Sequence, residues 1–122
     1  MAIEFLVGIT LAVGFFLGFG VGANDVSNAM GTSVGAKVLT VGQAVLVAAL
    51  FEGLGAYLAS DSVTQTLRSE LIAIHHFTND PYSLAYGMLA ALFAATTWLL
   101  LATVLGMPVS TTHTIVGAMV GF

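Results

Sequence analysis

Three apolar runs, each long enough to cross a lipid bilayer, dictate what this chain can become. They occupy residues 2–22, 38–59 and 83–106. About 20 residues at roughly 1.5 Å rise span a hydrocarbon core of about 30 Å. Inside such a core every backbone N–H and C=O must be paired within the protein, which makes each run a helix. Of 122 residues, 58% are hydrophobic and 7% charged, against about 25% charged in a soluble domain. The chain therefore reads as all-α, integral to a membrane and multi-pass, with the cell membrane as the expected location. Two basic residues, Lys37 and Arg68, stand against six acidic ones. Nucleic acid requires clustered cations and is excluded as a partner. One basic residue in each of the first two connections leaves the membrane orientation open. There is no cysteine, so no disulfide or thiolate site can form. The N-terminus lacks a basic region and carries Glu4, so residues 2–22 read as a retained span rather than a signal peptide.

The stretch Gly22-Ala23-Asn24-Asp25-Val26-Ser27-Asn28-Ala29-Met30-Gly31-Thr32-Ser33-Val34-Gly35 interrupts this apolar pattern. A carboxylate at membrane depth costs about 2.5 kcal/mol or more and marks a functional position. Asn24 and Asn28 are four apart, and Asp25 and Asn28 three apart, so on a helix they share a face. The glycines predict a helix that breaks near Gly22, resumes, and ends between Gly31 and Gly35. Earlier in the run, Gly14, Gly18 and Gly22 have the spacing that lets helices approach closely in lipid.

The second run holds another deep carboxylate, Glu52, beside Gly53 and Gly55. Residues 60–82 are a polar connection, and residues 62–74 within it are expected to form a short amphipathic helix. His75 and His76 are adjacent, cannot both face one ion on a helix, and read as a loop pair rather than a metal site. In the third run, Thr96 and Thr97 need no role beyond bonding to their own helix's carbonyls. Pro108 is expected to stop that helix. Ser110, Thr111 and Thr112 then open a new helix, and Ser and Thr are favoured N-caps. Free N–H groups beside hydroxyls also form an anion site. The residues alone leave both readings open. Ser110 and His113 invite a nucleophile–base reading, but no carboxylate orients them, and an enzyme is not expected.

Asp25 and Glu52 accept only, when ionised, and Asn24 and Asn28 offer carbonyl oxygens. Such a set suits a hard cation such as Na+, or a proton on one carboxylate. The hydroxyl-rich helix start suits an anion. With so few basic side chains, a co-bound cation would supply the missing positive charge, which is the electrostatic logic of cation–anion symport.

The stretch 22–35, the pair Phe51-Glu52, and Pro108-Val109-Ser110-Thr111-Thr112-His113-Thr114-Ile115-Val116-Gly117-Ala118 resemble the inorganic phosphate transporter (Pit) family in order and spacing. Ser27 stands where the family commonly has Ala. The resemblance implies an Na+- or H+-coupled phosphate symporter built from two inverted repeats. Residues 1–122 would be the N-terminal repeat, one half of the transporter, with broken or re-entrant helices at the polar stretches. The chain runs out at Val120-Gly121-Phe122 in an apolar helical pattern, which fits that expectation. By the resemblance, Asn24, Asp25 and Glu52 match positions tied to cation coupling and would hold Na+, with Asn28 beside them. Ser110, Thr111 and Thr112 match the phosphate-binding hairpin. Expected partners are inorganic phosphate, Na+ or H+, the bilayer and the second repeat. No cofactor is expected beyond the coupling ion. Oligomeric state stays open, a homo-oligomer included. The alternatives are a sulfate permease of the same family and a non-transporting membrane interaction subunit.

Overall fold

The structure, a computed structural model, describes residues 2–66, 69 and 81–122. They form four helices: α1 (Ala2–Gly35), α2 (Val41–Thr66), α3 (Pro81–Val104) and α4 (Thr111–Val120). No strand occurs among the described residues. Three stretches are long and apolar enough to span a membrane: Ile3–Gly35, Val41–Thr66 and Tyr82–Val104. The protein is a multi-pass integral membrane chain, as the sequence requires. It divides into two compact units, Met1–Asp25 with His75–Phe122, and Val26–Ile74.

The expected break near Gly22 does not occur, because α1 runs unbroken to Gly35. One glycine inside a helix costs only about 1 kcal/mol relative to alanine. Opening the helix at membrane depth would strand backbone groups at several kcal/mol each. The end between Gly31 and Gly35 is as expected. There Val38 N–H bonds Ser33 O and Lys37 N–H bonds Val34 O, both at 3.0 Å. Lys37 takes φ 60°. This pair of bonds around a left-handed residue is the Schellman stop, at a position glycine usually fills.

In the second unit, α2 starts at a capping box. Thr40 Oγ1 accepts from Gln43 N–H at 3.3 Å, and Gln43 Oε1 accepts from Thr40 N–H at 3.0 Å. These reciprocal bonds satisfy two otherwise orphaned donors. Ala44 and Ala48 are buried, while Phe51, Tyr57 and Leu58 are 71–85% exposed. Of the expected amphipathic helix at 62–74, α2 contains residues 62–66. Ser69 apart, its remainder lies outside the described residues, as do His75 and His76.

In the first unit, Ala91, Ala95, Leu99 and Ala102 form the buried face of α3, at the three- and four-residue spacing of a helix stripe. A Cβ added to Gly20 would stand 3.3 Å from Leu99 Cδ2. Glycine is therefore what brings α1 onto α3 here. Gly14, Gly18 and Gly22, the residues with the packing spacing, have nothing within 4 Å of their Cβ positions. Thr96 donates to Leu92 O at 2.7 Å, the back-bond expected of it.

α3 ends by the same device as α1. Gly106, at φ 67°, donates to Thr103 O at 3.1 Å, and Met107 N–H donates to Ala102 O at 2.8 Å. The helix has stopped at Val104, ahead of Pro108. Pro108 then prevents the chain from re-entering a helix at once.

Candidate functional site

From Met107 to Ser110 the backbone leaves the helical state. Pro108 has no N–H to offer, so the groups needing partners there are the carbonyl of Met107 and the N–H of Val109. Asn24 of α1 reaches both. Its Nδ2 donates to Met107 O at 3.1 Å, and its Oδ1 accepts from Val109 N–H at 3.3 Å. Nδ2 also lies 3.5 Å from Thr103 Oγ1, whose own proton is given to Leu99 O at 2.8 Å. Asn24 is 5% exposed. Its carboxamide does for the bend what a neighbouring peptide group would do.

The next residue along α1, Asp25, is half-buried. Thr111 Oγ1 lies 2.8 Å from each of its carboxylate oxygens, so one hydroxyl proton is shared between the two. Thr111 is the first residue of α4. The carboxylate therefore sits where the helix dipole and free N–H groups favour negative charge. A carboxylate has about four acceptor positions, and one hydroxyl leaves most of them unused.

Ser110 is the N-cap of α4, with φ −82° and ψ 116°. Its Oγ accepts from His113 N–H at 3.3 Å and lies 2.7 Å from His113 Nδ1. Its carbonyl accepts from Thr114 N–H at 3.0 Å and from Thr114 Oγ1 at 2.9 Å. Ser110, Thr112 and His113 are exposed, and Thr111 is half-buried. Two of the three hydroxyls expected to hold an anion are thus engaged inside the chain. The first-turn N–H groups of any helix have no carbonyl of their own to bond.

The structure brings Asn24, Asp25, Ser110 and Thr111 to one bend, joining two polar stretches some 85 positions apart. Asn28 and Glu52 belong to the other unit, and each is exposed. Among the described residues no group of three or more His, Asp or Glu could hold a metal ion. Sequence reasoning did not single out Thr103, Met107 or Val109. Thr103 back-bonds like any helical threonine and gives no signal. The unpaired groups flanking a proline are a signal, and they predict that some side chain must reach them.

Residues 21–122 match the family profile described as the phosphate transporter family. A protein of Haemophilus influenzae, provisionally named a phosphate permease, is 55% identical over 119 residues, 98% of this chain and 28% of that protein. One of Thermococcus kodakarensis with the same provisional name is 51% identical over 114 residues, 93% of this chain and 28% of the relative. A third, from Mycobacterium tuberculosis, is 50% identical over 113 residues, 93% of this chain and 20% of its own length. The chain thus spans between 20% and 28% of the length of these relatives. No solved structure matches it.

Proposed function

The chain belongs to the phosphate transporter family, and on that premise we propose that its parent protein carries inorganic phosphate across a membrane in symport with Na+ or H+. The observation that carries this reading is the hydrogen bond between Asp25 and Thr111 at the start of α4. A carboxylate and a phosphate compete for the same positive helix end. Two like charges about 4 Å apart repel by about 4 kcal/mol at an effective dielectric of 20. That is close to a thousandfold in affinity, so the anion is disfavoured until Asp25 is neutralised. A cation on Asp25 removes the penalty, and cation and anion then bind together.

The oxygens present fit a hard cation. Asp25 keeps unused acceptor positions, and Asn24 brings a carboxamide oxygen, Oδ1, which accepts from Val109 N–H. Asn28 and Glu52 are proposed as further oxygen ligands on their residue types and the family resemblance. The hydroxyls of Ser110, Thr111 and Thr112, with the N–H groups beside them, are proposed to hold phosphate. Alternating access would come from this repeat moving against a second, inverted one.

The test is radiolabelled phosphate uptake by the full-length parent, with Na+ and pH varied and sulfate as competitor. Asp25→Asn keeps an oxygen for Thr111 and removes the charge. Cation-stimulated uptake should fall by about tenfold or more. Near-normal, still cation-driven uptake in that variant would refute the assignment of Asp25. Sulfate carried in place of phosphate would make the protein a sulfate permease.

A further inference from the structure

We propose that His113 is a positioning residue that sets, through its own protonation, whether the Ser110 hydroxyl can donate to the bound anion. The inference rests on the reading of α4's start as the phosphate-binding end. Ser110 Oγ lies 2.7 Å from His113 Nδ1 and also accepts from His113 N–H. A hydroxyl has one proton to give. When the imidazole is neutral with its proton on Nε2, Nδ1 can only accept, and Ser110 gives its proton to the ring. Nothing then remains for an anion. When a proton from water binds Nδ1, the bond reverses. Nδ1–H donates to Ser110 Oγ, and the hydroxyl proton is released to point at a phosphate oxygen. No covalent bond changes beyond the N–H that forms.

The same protonation places a positive charge at the first turn of α4, in a chain otherwise almost without cations. Both effects have one sign: charging His113 strengthens anion binding. By linkage, anion binding draws a proton onto His113 in equal measure. Phosphate binding is therefore accompanied by uptake of a fraction of a proton that varies with pH, whatever ion Asp25 carries.

The described residues do not enclose His113. It is exposed and lines a cavity of about 270 Å³ with Ala94, Ala95, Trp98, Thr114, Gly117 and Ala118. None of those residues titrates. From α1, the charged group at this helix start is Asp25, which bonds Thr111. Imidazole is the side chain that changes charge between about pH 5 and 8.

The experiment compares phosphate KM in the full-length parent and in its His113→Asn variant across that range. Asparagine can donate to Ser110 at every pH, and the titration of phosphate itself is common to both proteins. The ratio of wild-type to variant KM should rise by about tenfold from acid to alkaline pH, the weight of one hydrogen bond to a charged group. In a Ser110→Ala background the rise should shrink severalfold, because the hydroxyl is gone and only the direct effect of the His113 charge remains. His113→Ala provides a second variant lacking both charge and donor, and should show the same loss of pH dependence. Uptake with a flat ratio while Ser110 is intact overturns the inference alone, as does a rise of undiminished size in Ser110→Ala. Absence of phosphate and sulfate uptake by the wild type at every pH overturns the functional reading, and the inference with it.

Discussion

Replacing Asn24 by alanine should loosen the start of α4 by a measurable and local amount. The substitution strands two backbone groups, the carbonyl of Met107 and the N–H of Val109. A buried group left without a partner costs about 1–3 kcal/mol. Met107 is 37% exposed and Val109 half-buried, so water recovers part of the loss and each group falls toward the lower end. The contact to Thr103, at 3.5 Å, is too long to add much. The sum is about 2–3 kcal/mol, a roughly 30- to 150-fold increase in the opening of this segment. Hydrogen exchange followed by mass spectrometry on the full-length protein in nanodiscs reads that opening directly. Peptides covering residues 107–114 should exchange faster by about this factor, while the middle of α3 stays protected. Asn24→Asp keeps the acceptor for Val109 but sets an oxygen against the Met107 carbonyl, and should show at least half the effect. Unchanged exchange at 107–114 in Asn24→Ala would show that the carboxamide does not hold the bend.

Further outcomes follow from the same geometry. Thr111→Val removes the hydroxyl that Asp25 accepts from while keeping the shape. It should raise the cation concentration for half-maximal uptake severalfold, and Thr111→Ser should restore it. Equal behaviour of the two variants would refute the Asp25–Thr111 bond. Lys37 and Gly106 occupy equivalent left-handed positions at φ 60° and 67°, so substitutions there should have opposite signs. Lys37→Gly should stabilise and Gly106→Ala destabilise, each by about 1 kcal/mol, read as shifts in thermal unfolding. Shifts of the same sign would contradict the helix ends described.

The spans were legible because length and the absence of charge suffice to specify a membrane helix, and Gly31–Gly35 marked the end of the first. The break at Gly22 was misread for a definite reason. Polar side chains at membrane depth need partners, and a broken helix is one way to supply them. Here α1 stays intact, and the partners come from the bend at Met107–Val109 instead. The pairing of Asn24 with that bend was not legible, because nothing local to either stretch names the other. Pro108 was read as the stop of α3, whereas Gly106 performs that task. The proline's part is to leave a gap in the donors that Asn24 then flanks. The spacing of Gly14, Gly18 and Gly22 suggested a packing face, yet Gly20 makes the close approach to Leu99. Spacing identifies a face that can pack, and the position of the partner helix decides which face is used.

The Asn24 carboxamide also has a mechanical meaning. It grips the chain on both sides of Pro108, and the neighbouring Asp25 holds the first residue of α4. Three attachments from two adjacent residues of a rigid rod resist twisting as well as pulling. The bend is thereby hitched to α1, and a tilt of that rod would drag the mouth of α4 along without any hinge of its own.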